Sequence, residues 1–98
     1  MNSLHRSLCC VATLLGLALP AAASADEQVQ AWREQARAYE HGSGVQRDMG
    51  TALDFYCKAA LAGDVLALYR MGWIYTNGRG VERNDAFAAH LFRQAAAL

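Results

Sequence analysis

The chain of 98 residues has little proline, few cysteines and no excess of charge of either sign. It contains one Pro and three Cys, and nine Lys and Arg residues balance nine Asp and Glu residues. Zero net charge gives no electrostatic reason to expect nucleic acid or an anionic membrane as the partner. The length allows at most one domain, and a 54% share of apolar residues excludes a disordered polymer. Composition therefore predicts a small soluble helical protein.

Residues 1–25 have the pattern of a secretory signal peptide. A short positive start at His5 and Arg6 is followed by an uncharged segment that runs to Ala25, where small residues suit a signal peptidase. The alternative is an uncleaved membrane anchor. Pro20 shortens the strongly apolar part to about a dozen residues, however, and roughly 20 are needed to span a bilayer. We therefore expect cleavage after Ala25, a periplasmic or secreted protein, and no membrane span in the mature chain.

Cleavage would leave Cys57 as the last cysteine, so the mature chain could form no internal disulfide. Small exported domains often depend on disulfides for stability. Stability must therefore come from helix packing or from a partner.

The rest of the chain repeats itself with a period of 36 residues. When residues 31–62 are laid over residues 67–98 without a gap, nine of the 32 positions are identical. A period between 20 and 50 residues is the signature of a stacked repeat protein. The identical pairs are Ala31/Ala67, Tyr39/Tyr75, Gly42/Gly78, Gly44/Gly80, Val45/Val81, Arg47/Arg83, Ala52/Ala88, Ala59/Ala95 and Ala60/Ala96.

Each unit has the pattern of a helix, a glycine-containing loop and a second helix. The second helices carry apolar residues at helical spacing, which predicts one packing face on each. These positions are Ala52, Phe55, Tyr56, Ala59 and Ala60 in the first unit, and Ala88, Leu91, Phe92, Ala95 and Ala96 in the second.

The loops carry the residues that end and begin helices. Gly42 and Gly78 are placed to end the first helices with positive φ. Polar side chains placed to cap the following helices are Asp48, Asp64 and Asn84. The valine after each glycine pair, Val45 or Val81, is expected to anchor its loop on the core.

These residues resemble the Sel1-like repeat family, which is related to the tetratricopeptide repeats. The second unit matches the family pattern at Ala67, Met71-Gly72, Tyr75, Gly78-Arg79-Gly80-Val81, Asn84 and Ala88, and the first at Tyr39, Gly42-Ser43-Gly44-Val45, Asp48, Ala52 and Lys58-Ala59-Ala60. The resemblance implies an all-α fold, an α-α superhelix of two helix-turn-helix repeats. The expected organisation is a signal peptide at 1–25, a first repeat with an amino-terminal cap at 26–62 and a second repeat at 63–98.

The resemblance also implies a binding module for another protein, without a cofactor, in which the first helices line the concave side. Residues of these helices that packing does not use are the candidates for partner contact. Arg, Tyr and Trp are enriched among the residues that dominate binding energy. The alternative is that the aromatic residues pack on a neighbouring helix and the charged ones form a solvated face. The candidates, paired by repeat register, are Arg33 with Tyr69, Glu34 with Arg70, and Arg37 with Trp73.

Catalysis has little support in the sequence. His41 and His90 occupy non-equivalent repeat positions, and no metal-ligand spacing recurs. Cys57 lies beside a packing face and is expected to be a semi-buried, inert thiol. We therefore predict an adaptor that is not an enzyme. The alternatives are a small secreted hydrolase that uses His41 or Cys57, related to cysteine-rich Sel1-like proteins, and a truncated structural fragment of a longer array.

Two repeats are fewer than the three or so that such folds usually need for stability. The second repeat ends in Ala95-Ala96-Ala97-Leu98, which predicts a partly open apolar face. A homodimer through this carboxy-terminal repeat face, docking on a partner, and truncation of a longer array are three explanations.

Overall fold

The computed structural model describes residues 24–98 as four α-helices without a strand. They are α1 (Ala25–His41), α2 (Met49–Leu61), α3 (Val65–Asn77) and α4 (Asp85–Ala97). The predicted all-α class is confirmed. The predicted signal peptide lies outside the described residues except for its last two, Ser24, which caps α1, and Ala25, which begins it.

The helices form two hairpins that stack on each other. Helix α1 packs along α2, α3 packs along α4, and contact between α2 and α3 joins the two hairpins. This arrangement is the predicted α-α superhelix of two helix-turn-helix units. The short three-residue link between α2 and α3 keeps the second hairpin directly against the first.

The predicted helix boundaries are confirmed by their caps. The side chains of Asp48, Asp64 and Asn84 each accept a hydrogen bond from the backbone N–H three residues further on, at 3.2, 3.2 and 3.0 Å. Gly42 and Gly78 end α1 and α3 in the left-handed region, with φ of 71° and 60°. Glycine adopts this conformation without the steric penalty that a Cβ brings, so the two loops leave their helices in the same way.

The core is made of small residues interleaved with a few large ones. Alanines at the helix crossings allow close approach, and Tyr56 and Ile74 fill the space between them. The buried apolar residues are Ala36, Met49, Ala52, Tyr56, Ala59, Ala67, Leu68, Met71, Ile74, Ala88, Leu91 and Ala95. The predicted face of the first repeat is buried or partly buried throughout.

The predicted face of the second repeat is less complete. Ala88, Leu91 and Ala95 are buried and Phe92 is half-buried, but Ala96 is exposed. Its first-repeat equivalent, Ala60, is half-buried and packs against the core. Ala96 does not pack within the described residues, so the prediction that it does is wrong there, whereas the partly open apolar face predicted for the end of this repeat is present.

The two loops also differ, although their sequences match. Val81 packs against the core as predicted, whereas Val45 is 37% exposed and does not. The second loop rests on the start of α2, where a Cβ on Gly80 would lie 2.9 Å from the Cβ of Met49. A Cβ on Gly44 would have nothing within 4 Å. Val45 is exposed because no hairpin precedes the first repeat within residues 24–98.

Candidate functional site

Helices α1 and α3 together line a depression that we call the arginine pocket. Its volume is about 410 Å³. The walls are made by basic side chains, and one aromatic and one aliphatic side chain complete them. The lining residues are Arg33, Arg37, His41, Tyr56, Leu66 and Arg70.

A fully buried carboxylate, that of Glu40, lies beside the pocket at the end of α1. Tyr56 donates its hydroxyl to Oε1 of Glu40 at 2.7 Å. The guanidinium of Arg70 donates from Nε to Oε1 at 2.9 Å and from a second nitrogen to Oε2. This two-point geometry is the strong form of an Arg–carboxylate pair, and it fixes the orientation of Arg70. One acid of α1 thereby links α2 and α3.

Two more basic groups approach the same carboxylate. Nε of Arg79 lies 3.3 Å from Oε2 of Glu40, and Nε2 of His41 lies 3.8 Å from it. A guanidinium nitrogen of Arg79 also lies 3.4 Å from Nδ1 of His41. The Nε atom of Arg79 is buried and makes no aligned hydrogen bond within residues 24–98. The contact of Arg79 with Glu40 is therefore ionic rather than directional.

The network sets the ionisation of its members. Burial alone would raise the pKa of Glu40, but hydrogen bonds from Arg70 and Tyr56 and the charges of Arg70 and His41 outweigh it, and the pKa is lowered. Burial and the hydrogen bond to Glu40 raise the pKa of the Tyr56 hydroxyl. The hydrogen bond to Glu40 raises the pKa of Arg70. The network is therefore held in one charge state, with Glu40 ionised and Tyr56 protonated.

Stability is expected to fall in acid because of Glu40. Its folded-state pKa is lower than the ordinary value of 4.5, so its contribution is present above that pH and is lost as the pH falls through the lowered pKa. Urea unfolding measured at intervals from about pH 6 to pH 3 should show a steeper loss for the native chain than for Glu40→Gln. Asp48 and Asp85, whose pKa values are also lowered, are common to both proteins and cancel in the comparison. Equal slopes would contradict the assignment.

The predicted partner-contact residues divide into held and free side chains. Arg33 pairs with Asp64 at 3.3 Å, and Arg70 pairs with Glu40. Arg37 is exposed and has no carboxylate within 4.0 Å in the described part of the chain. Arg33, Arg37 and Arg70 come together in the arginine pocket. Two of these three therefore also stabilise the contact between the hairpins.

The other three predicted residues do not line this pocket. Glu34 is exposed, accepts a hydrogen bond from Gln30 at 3.1 Å, and lines a shallow depression beside Arg37. Trp73 is 44% exposed, with the Arg70 guanidinium 4.7 Å from its ring centroid. Tyr69 is 49% exposed and packs on Phe92, with 5.9 Å between ring centroids. That these residues bind a partner stays a prediction.

Four members of the site are not among the residues predicted from the sequence: Glu40, Tyr56, Leu66 and Arg79. The sequence predicts Tyr56 only as part of the packing face and Arg79 only as part of a turn. The repeat register carries a partial signal, because Glu40 has Thr76 as its equivalent and Arg79 has Ser43. The same asymmetry occurs at Arg37, opposite Trp73, and at Arg93, opposite Cys57, and both arginines are exposed. Repeat register alone therefore does not identify the residues that join the hairpins.

Cys57 is exposed, so the prediction of a semi-buried thiol is wrong. It lies on the wall of an apolar groove of about 580 Å³ between α2 and α4, whose lining includes Leu68, Met71 and Leu91. His90 lines the same groove.

Neither a metal site nor a membrane span is found in the described part of the chain. No group of three or more His, Cys, Asp and Glu side chains there could hold a metal ion. None of the helices from α1 to α4 is long and apolar enough to cross a membrane.

Comparison with known proteins agrees with this architecture. The Sel1 repeat model matches twice, at residues 36–64 and 65–98. No curated protein matches the chain. A solved structure of c5321, a protective antigen present in uropathogenic Escherichia coli strains with an SLR fold, is 39% identical over 70% of this chain, with a TM-score of 0.67. A Sel1 repeat protein from Oxalobacter formigenes is 35% identical over 70% of this chain, with a TM-score of 0.66.

The matched region spans only 15% of the first protein's length and 53% of the second's. The family model, by contrast, matches well over half of this chain, in two adjoining repeats. The chain belongs to the Sel1 repeat family.

Proposed function

We propose that this chain is a protein–protein interaction module that binds its partner with the face formed by α1 and α3. Sel1 repeats generally mediate contact between proteins, and their fold is typically a non-enzymatic scaffold. The observation that carries the proposal is the exposure of Arg37 and Trp73 beside two arginines that are already held in place.

The proposed face has the features of a binding surface that is organised before the partner arrives. Glu40 fixes Arg70, and Arg70 in turn lies over the ring of Trp73. Side chains that are ordered in advance lose less entropy on binding. Half-exposed Trp and Tyr and free Arg are also the residue types that contribute most to binding energy at protein interfaces.

We further propose that the module acts as an adaptor in the bacterial envelope or outside the cell. The signal-peptide pattern of residues 1–25 supports this location. The homodimer through the carboxy-terminal repeat face stays a prediction; exposed Ala96 and half-buried Phe92 are residues that such a contact would cover.

A crosslinked pull-down from envelope extract with the full chain as bait tests the proposed face. The double variant Arg37→Ala/Trp73→Ala should lose the protein that the native chain recovers, because both exposed anchors are removed. The matched control is Arg93→Ala/Leu61→Ala, which also removes one exposed arginine and one exposed apolar residue, from α4 and α2. The control should recover the partner as the native chain does. Loss in the control but not in the first variant would contradict the proposed face.

A further inference from the structure

We infer that the arginine pocket takes an acidic peptide segment of the partner, one that carries carboxylates next to an apolar side chain. This inference rests on the proposed function and specifies the partner's chemistry at the same site. Three features of the pocket support it: the excess of positive charge, the N–H donors of the arginines that are not used within the chain, and the aliphatic side chain of Leu66.

The pocket concentrates positive charge on a chain that has no excess of it. Of the eight Lys and Arg residues between positions 24 and 98, four surround the pocket: Arg33, Arg37, Arg70 and Arg79. Two carboxylates pair with these arginines, those of Glu40 and Asp64, and Glu34 lies in the neighbouring depression beside Arg37. Positive charge therefore remains in excess at the pocket, whereas residues 24–98 as a whole carry one more acid than base. A depression lined by charge of one sign concentrates ligands of the opposite sign.

The arginines have donors left for a ligand. Arg33 uses only Nη1 toward Asp64, and a guanidinium has five N–H donors. Arg37 makes no ion pair in the described residues and lies between Arg33 and His41 along the pocket wall. Arginine binds carboxylates through two parallel hydrogen bonds, so Arg37 is the natural primary contact for a partner's Asp or Glu.

The pocket also has an apolar part, which favours a peptide over a small anion. Leu66 is 60% exposed and lines the same depression as the arginines. Trp73 extends this apolar surface through its contact with Arg70. A free phosphate would leave both side chains unused, whereas a segment such as Leu-Asp-Glu would cover them while its carboxylates meet the arginines. The volume of about 410 Å³ is within the usual range for ligand pockets.

Fluorescence anisotropy with three labelled peptides of equal length tests the inference on the full chain. One peptide repeats Leu-Asp-Glu, its neutral twin repeats Leu-Asn-Gln, and its basic twin repeats Leu-Lys-Lys. The acidic peptide should bind at least about tenfold more tightly than the neutral one, since hydrogen bonds from arginine to a carboxylate are stronger than those to a neutral amide. Arg37→Ala should weaken this binding about tenfold, while Arg93→Ala, on the exposed side of α4, should leave it within about twofold.

Equal affinity for the acidic and neutral peptides would overturn the inference, as would an equal loss from Arg37→Ala and Arg93→Ala. Two competitors distinguish other anions from a peptide. Inorganic phosphate, at a concentration equal to that of the peptide's carboxylates, should not displace the acidic peptide. Vesicles of phosphatidylglycerol should not bind the chain more tightly than the acidic peptide does. Either reversal would assign the pocket to another anion. If the peptides fail while the pull-down still depends on Arg37 and Trp73, the binding face stands and only the acidic partner is excluded.

Discussion

Replacing Glu40 with alanine is expected to lower the free energy of unfolding by about 3–5 kcal/mol, because it leaves the buried Tyr56 hydroxyl without its acceptor and the half-buried Arg70 and Arg79 without their counter-charge. Tyr56 would lose its acceptor, and Arg70 would lose both hydrogen bonds that hold it against α1. A small domain has about 5–15 kcal/mol in total, so this loss is a large share of the stability and should lower the urea midpoint clearly. Urea unfolding followed by the helical circular dichroism signal measures the change.

Two further variants distinguish the loss of the buried hydrogen-bond network from a general effect of substitution in α1. Glu34→Ala removes an exposed acid from the same helix and should change stability by less than about 0.5 kcal/mol. Tyr56→Phe removes one hydrogen bond and keeps the ring, so a loss of about 1 kcal/mol is expected. If Glu40→Ala is no more harmful than Glu34→Ala, the buried network does not join the hairpins.

Gly80→Ala is expected to destabilise the fold by about 2–4 kcal/mol, whereas the equivalent Gly44→Ala should cost only about 1–2 kcal/mol. Both glycines have positive φ, 71° at Gly80 and 75° at Gly44, so both variants force a Cβ into the left-handed region. Only at position 80 does that Cβ also meet a neighbour, the Cβ of Met49 at 2.9 Å. The difference between the two variants therefore measures the packing of the second loop on the first hairpin.

The same urea measurement compares the two glycine variants. Removing the side chain at the contact provides the control. In a Met49→Gly background, which lacks the clashing Cβ, the penalty of Gly80→Ala should come close to that of Gly44→Ala. Equal effects of the two single variants in the native background would show that the second loop does not pack on Met49 in solution.

The architecture was predictable from the sequence because it follows from local signals for helix ends and helix starts, and both repeats carry these signals. Gly42 and Gly78 each end a helix because glycine adopts positive φ without a steric penalty. Asp48 and Asn84 each cap a helix by accepting a hydrogen bond from the backbone three residues further on. A period of 36 then places equivalent faces on successive hairpins. None of these inferences requires knowledge of which helices touch.

The site was only partly predictable, because its central contacts join residues about 16 to 39 positions apart in the chain. Repeat register indicated which helices would present Arg37 and Trp73, but not that Glu40 is fully buried or that Arg79 reaches it from the second loop. Repeat register also predicts the same burial for Val45 and Val81. Their exposure differs because the second loop packs on the first hairpin, whereas within residues 24–98 no hairpin lies against the first loop.

The most direct test of the binding face is site-specific photo-crosslinking in envelope extract. A photoreactive phenylalanine analogue replaces Leu66, which is 60% exposed in the arginine pocket, or Leu61, which is 85% exposed at the groove between α2 and α4. We expect one crosslinked partner from position 66, lost when Arg37→Ala is added, and none from position 61. The same partner captured from position 61 and not from position 66 would contradict a binding face on α1 and α3.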